Sequence, residues 1–250
     1  MNKIWVIPDI HGCVVTLKTL IENQIEPDKK DKLIFLGDYI DRGPDSKGVL
    51  DYIMNLEAEG YDVTGLIGNH EDYCITAWED DQDAKSFLGI RPKTKTQKEW
   101  ETYGGKEALE SFGVERPRDI PQFYIDWMKK LEYYLEIKDF VIVHAGFNFD
   151  LDDPFEDRFS MIWIREYVPD LKKINNKTII HGHVPVNLEY IDMSIKAEGP
   201  RVIDIDNGIY FKNMPGYGNL VALELTKMEY AVQSVMDEVA FGSRNTWRRV

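Results

Sequence analysis

The sequence predicts an α/β fold, and three observations carry that prediction. Short apolar runs alternate with helix-periodic segments over residues 3–68, further apolar runs at 140–146 and 177–185 lead straight into histidine-bearing loops, and the stretch beyond residue 200 breaks into short strands separated by glycine turns. In order, "KIWVIP" (3–8) is short, apolar and closed by a proline, the mark of a buried strand. "CVVTLKTLIENQ" (13–24) sets Val14, Leu17, Leu20 and Ile21 at helical spacing. "KLIFL" (32–36) is a second strand, "SKGVLDYIMNLEAEG" (46–60) a helix with Val49, Ile53 and Leu56 on one face, and "DVTGLIG" (62–68) a third strand. Strand, helix, strand, helix, strand at this spacing makes a parallel βαβαβ unit.

Between 72 and 134 the pattern loosens through acidic and polar segments to "IPQFYIDWMKKLEYYL", which has helical character and many aromatics. It reads as a helical insertion over the sheet, either a lid or plain helical packing. "FVIVHAG" (140–146) and "KTIIHGHVP" (177–185) return to strands. "RVIDIDNGIYF", "NLVALELT" and "EYAVQSVM" suggest an antiparallel meander, and the basic "GSRNTWRRV" a frayed tail. The expected organisation is one domain over 1–240, with 72–134 inserted and 241–250 as tail.

The chain is ample for a sizeable core: 250 residues, 43% hydrophobic and 30% charged. A formal net charge of -14 argues against general nucleic-acid or anionic-membrane partners. Two cysteines, Cys13 and Cys74, form no CxxC and are expected to be reduced and buried. No apolar stretch has signal-peptide or membrane-span length, so the expected location is cytoplasmic.

All five histidines, His11, His70, His144, His181 and His183, follow apolar strands. Ligands of open α/β sheets bind beyond the carboxyl ends of strands, so separate segments deliver every imidazole to one edge. Asp9, Asp38 and Asn69 arrive beside them. Asp, His and Asn together suit manganese, iron or zinc, and six candidate ligands exceed one tetrahedral ion. Two ions sharing a carboxylate would use them all, activating a bridging hydroxide for in-line phosphoryl displacement. Arg42, in the Asp38 loop, offers a planar fork for phosphate. His70 can protonate the leaving oxygen, and Asp41 can orient it and raise its pKa.

These residues resemble a known family. "DIHG" (9–12), "GDYIDRG" (37–43), "GNHE" (68–71), "HAG" (144–146) and "GHVPV" (182–186) are similar, in order, to the motifs of PPP-type calcineurin-like metallophosphoesterases, which include phage and bacterial serine/threonine phosphatases and symmetrical diadenosine tetraphosphatases. The resemblance implies a four-layer α/β/β/α sandwich. It implies Asp9, His11 and Asp38 around one ion and Asp38, Asn69, His144 and His183 around the other, manganese first, with iron or zinc as alternatives. Arg42, Asn69 and His70 would meet the phosphate, His70 with Asp41 would form the acid pair, and "WIRE" (163–166) points to Arg165 as a second phosphate arginine. His181 falls outside the matched ligand position. Pro8 replaces the usual glycine or serine, "HAG" the eukaryotic "HGG", and "SAPNY" is absent, with "IDIDNGIYF" in a comparable place, which suggests a bacterial or phage-like enzyme.

Other phosphatase chemistries fit poorly. In "VIDIDNG", Gly208 stands where a DxDxT nucleophile motif needs threonine; neither cysteine begins C-x5-R; and no GxxxxGK[ST] occurs. The expected function is metal-dependent phosphomonoester hydrolysis, by a serine/threonine phosphatase acting on phosphorylated protein or peptide. The alternatives are a symmetrical tetraphosphatase acting on a dinucleotide polyphosphate, and a non-catalytic metal-stabilised binding module.

Overall fold

The computed structural model describes residues 2–85, 92–211 and 213–238. The tail expected at 241–250 lies outside them. The βαβαβ reading holds: β1 (Ile4–Ile7), α1 (Val14–Thr19), β2 (Lys32–Phe35), α2 (Ser46–Ala58) and β3 (Asp62–Gly65), with β2 parallel to both β1 and β3. The first helix changes to a π-helical turn at Leu20–Ile25. α2 starts where the Asp45 carboxylate accepts the Gly48 amide. α1 has no cap of its own; Asp237, from the far end of the chain, accepts the Val15 and Thr16 amides.

α3 (Asn69–Asp83), α4 (Lys95–Trp100), α5 (Lys106–Phe112) and α6 (Gln122–Met128) fill the 72–134 region. The helical reading of 120–135 runs too long. α6 stops at Met128, and Tyr134 and Leu135 open β4 (Tyr134–Ile137), where pairing with β5 (Phe140–Val143) outweighs helical periodicity. After α7 (Arg158–Trp163) come β6 (Thr178–His181), α8 (Leu188–Lys196), β7 (Val202–Asp204), β8 (Asn219–Glu224) and β9 (Glu229–Ser234). The meander expected after 200 is divided between two sheets. β7 lies parallel to β6, whereas β8 and β9 form a hairpin whose first strand runs antiparallel to β1.

The sheets have orders β3-β2-β1-β8-β9 and β4-β5-β6-β7. Strand alternation explains the layers. Trp5, Ile7, Leu33 and Phe35 turn to one side, packing with Leu17, Val49, Ile53, Trp100 and Met128 of the helices. Val6, Ile34 and Leu36 turn to the other and meet Ile142, Ile180 and Ile203 of the second sheet. The opposite face of that sheet, Val141, Val143 and Ile179, is covered by Met161, Ile162 and Phe147. This is the expected α/β/β/α sandwich. Cys13 and Cys74 are free and buried. Among the described residues no helix is long and apolar enough to cross a membrane.

Candidate active site

The loops leaving β1, β2, β3, β5, β6 and β7 converge at one edge of the sandwich. The first two are zipped together: the Ile10 and His11 amides donate to Asp38 O at 3.0 and 2.8 Å, and Gly12 N to Tyr39 O at 2.8 Å. This close approach requires glycine at 43, where a Cβ would stand 1.9 Å from His11 O. His11, Asp38, Asp41, Arg42 and His183 all have φ between 46° and 73°, the left-handed region that side chains avoid. Such strain costs about 1–3 kcal/mol per residue and persists only where surrounding structure enforces it.

The side chains meet. His11 Nε2 lies 3.7 Å from Asp38 Oδ2 and 3.9 Å from Asp9 Oδ2, and His70 Nε2 lies 3.8 Å from Asp38 Oδ2. His144 Nε2 is 3.5 Å from Asp38 Oδ1 and 3.2 Å from Asn69 Oδ1, and its ring centroid is 5.0 Å from that of His183. The His183 amide donates to Asp9 Oδ1 at 3.1 Å. Two tight donor sets result, His11/Asp38/His70 and Asp38/His144/His183, sharing Asp38. His70 thus lies in the set where the family pattern has Asp9, which stands slightly apart. Arg165, just beyond α7, is exposed, and its charge reaches His183. His181 turns away, with Nδ1 hydrogen-bonded to Gly182 O.

Hydrogen bonding fixes the tautomers. Carbonyls only accept, so His11 Nδ1 donates to Ile40 O and His144 Nδ1 to Leu36 O, both at 3.0 Å. Each Nε2 then presents a lone pair to the site. Burial holds the pKa of both below the ordinary imidazole value, as it does for His183, so all three are neutral donors. Arg42 donates from Nη1 to His11 Nε2 at 2.5 Å and from Nη2 to His70 Nε2 at 2.9 Å, with its guanidinium 4.4 Å from the Tyr210 ring. His70 Nδ1 in turn donates to Asp41 Oδ2 at 2.6 Å. The expected rise in the His70 pKa does not occur: burial first, then the Arg42 charge, hold it well below the usual range. Burial also pushes Asp41 and Asp9 up, with Asp206 adding to the effect on Asp9.

The calcineurin-like phosphoesterase profile matches residues 2–208, which include both donor sets together with Asp9, Asp41, Arg42, Asn69 and Arg165. The chain belongs to that family. It is 28% identical over 144 residues to a symmetrical bis(5'-nucleosyl)-tetraphosphatase of Pseudomonas putida, covering 57% of this chain and 41% of that one. It is 42% identical over 77 residues to serine/threonine-protein phosphatase 1 of Salmonella typhimurium, covering 30% and 33%. The matched stretches thus span less than half of each relative. Among solved structures, a cold-active protein-tyrosine phosphatase of Shewanella superposes with TM-score 0.58 at 17% identity, over 94% of this chain and 81% of the other. A serine/threonine phosphatase of Saccharomyces cerevisiae gives 0.56 at 14%, over 97% and 82%. At such identities these two show the shared fold.

Metallophosphoesterases use divalent metals, and the residues here fit such ions. The neutral His144 Nε2 faces the oxygens of Asn69 and Asp38, acceptor against acceptor with no proton between. The buried His183 Nε2 has no hydrogen-bond partner. A cation satisfies both.

Three residues given no role by the sequence reading hold this arrangement. Glu71 accepts the amides of Asp38, Tyr39 and Gly68 at 2.8, 2.9 and 3.0 Å, fastening the β2 loop to the start of α3. It was visible as the last residue of "GNHE". Trp100 Nε1 donates to Asp41 Oδ2 at 2.8 Å from within the insertion. Nothing in its polar surroundings signals this. Tyr210, beneath Arg42, sits in the "IDIDNGIYF" run.

Proposed function

We propose that the chain is a serine/threonine protein phosphatase acting on phosphorylated protein or peptide at a dinuclear site, with manganese as the first choice of ion. The convergence of two donor sets on Asp38, with a guanidinium beside them, supports this reading most directly. Asp9, His11 and Asp38 would hold one ion, and Asp38, Asn69, His144 and His183 the other. When bound, the two ions supply charge neutralisation and an activated nucleophile. Arg42 binds the phosphate oxygens with its planar fork, Arg165 and Asn69 assist, and Tyr210 steadies the guanidinium from below. His70 would be the general acid: with its Nδ1–H held by Asp41, Nε2 must first take up a proton from solvent, in place of the Arg42 hydrogen bond it accepts here, and then pass it to the leaving oxygen. Asp41, itself held by Trp100, keeps the ring oriented. The attack is a single in-line displacement. A substrate chiral at phosphorus is expected to react with inversion, and retention would exclude the scheme.

One observation favours a second reading, a symmetrical bis(5'-nucleosyl)-tetraphosphatase. Tyr103, Tyr73, Trp163 and Phe159 form a run of neighbouring rings with centroids 5.8, 6.1 and 6.0 Å apart; the last pair is stacked and Phe159 is 69% exposed. It begins beside Gly104, whose carbonyl accepts the Arg42 amide, and includes Trp163, two residues before Arg165. A planar base could stack there. Turnover of a phosphothreonine peptide and of diadenosine tetraphosphate, with manganese supplied, separates the readings. The phosphatase proposal expects at least about tenfold higher kcat/KM on the peptide, equivalent to 1.4 kcal/mol of transition-state binding. The reverse ratio would replace it with the second reading.

A further inference from the structure

The sequence run "VIDIDNG" leaves one buried carboxylate without a task. Asp206 lies two residues beyond β7 and is 1% exposed. Its position is fixed on three sides: its amide donates to Asp204 Oδ1 at 3.0 Å, its carbonyl accepts the Val186 amide at 2.9 Å, and its Oδ1 accepts the Gly208 amide at 2.7 Å. Its Oδ2 is buried with no hydrogen-bond partner. Its nearness to Asp9 is marked by Gly182. A Cβ on that glycine would lie 2.4 Å from Asp9 Oδ1 and 3.6 Å from Asp206 Cβ, so the two carboxylate side chains flank the same point of backbone. Each is felt at the centre: the Asp206 charge acts on Asp9, and those of Arg42 and Asp38 act on Asp206.

Two neighbouring buried carboxylates, one with an unsatisfied oxygen, are unfavourable unless positive charge accompanies them. Arg42 is committed to His11 and His70. A loop merely turning after β7 would need Oδ1 for the Gly208 amide but leaves Oδ2, buried and without a hydrogen-bond partner, unaccounted for. We propose that Asp206 is a positioning carboxylate for the metal ion on the Asp9/His11 flank, acting by its charge and through its neighbour Asp9 to set the affinity of that position. The inference rests on the two-ion reading above but is independent of the substrate.

The test titrates metal-free protein with manganese chloride by calorimetry, with electron paramagnetic resonance reporting coupled ion pairs. Wild type is expected to bind two ions. In Asp206→Asn, an isosteric and neutral variant, one of the two affinities falls about 10–100-fold, the effect of losing a partner that orients a ligand. The other stays within about twofold, and the circular dichroism spectrum of the metal-free chain is unchanged. Two wild-type affinities in a folded D206N chain overturn the proposal and leave the two-ion reading standing. Fewer than two ions in wild type overturns both. Should D206N fail to fold, Asp206→Glu keeps the charge but moves Oδ2. It must weaken one affinity alone by more than about threefold, a smaller effect in the same sense, and a D206E chain with both wild-type affinities equally rejects the proposal.

Discussion

On the flank built by the first sheet, the imidazole lone pairs are already met from within the chain: Arg42 donates to both His11 and His70, and Asp41 accepts the His70 Nδ1–H. On the flank built by the second sheet, His183 Nε2 has no partner and His144 Nε2 faces two oxygens. The same donor types thus sit in opposite electrostatic conditions a few ångströms apart. An ion entering the second-sheet flank satisfies atoms that nothing else satisfies. An ion entering the first must compete with a guanidinium that has to swing toward phosphate. The asymmetry suggests different affinities, tighter at His144/His183, with phosphate helping to load the weaker position by drawing Arg42 away.

The largest effect should come from the residue shared by both flanks. Asp38→Asn is expected to lower kcat by more than about 10³-fold and to weaken both ions, because it removes the bridging charge. Asparagine tolerates the left-handed φ of 51°, so the fold should survive, as circular dichroism can check. Loss of only one ion would mean that the flanks do not share this carboxylate. Arg42→Lys touches the first flank alone. A point charge replaces a fork that holds two imidazoles, and kcat should fall about 10²–10³-fold with manganese stoichiometry intact. An accompanying rise in manganese affinity at one position would sharpen the comparison, since lysine competes less well for His11. Trp100→Phe removes the indole donor to Asp41 and keeps the packing. We expect about a tenfold fall in kcat, the loss of one hydrogen bond to a charged acceptor, with KM unchanged; a change confined to KM would place Trp100 against substrate instead.

A last effect, on stability and not on turnover, concerns the region behind the second flank. Burial lowers His181 to about 4, against about 6.5 in an unfolded chain. Because the folded pKa is the lower one, the unfolded chain takes up the proton first. The contribution is complete above pH 6.5 and is lost as pH falls toward 4, by at most about 3 kcal/mol. His181→Gln should therefore flatten the decline in Tm of metal-free protein between pH 7 and pH 5. Equal slopes would show that His181 does not govern that window.

How much of this was legible in the sequence follows from how local each signal is. Short, continuous apolar runs leading into Asp9, Asp38, His144 and His183 carry their own strand assignment, and the left-handed loops after them advertise themselves through glycine. The division of the 202–234 strands between two sheets was not legible, because each of those runs looks alike until its partner is known. β7 joins β6 and β8 joins β1 through contacts no local pattern encodes. Trp100 was hidden for a related reason, since its indole reaches Asp41 across 59 positions of chain. The helix expected at 120–135 ended early because strand pairing overrode an aromatic-rich helical period.

Asp237 gives the far end of the chain a hold on its beginning. The helix that follows His11 receives its missing cap from that residue, and β1 gains its antiparallel neighbour only with β8. On a ribosome the loop bearing Asp9 and His11 is therefore made well before the hairpin and the Asp237 that hold it. Until the closing hairpin arrives, one edge of β1 stays open to pairing with other chains. A chain cut short of β8 and Asp237 would leave both the edge of β1 and the start of α1 unsatisfied.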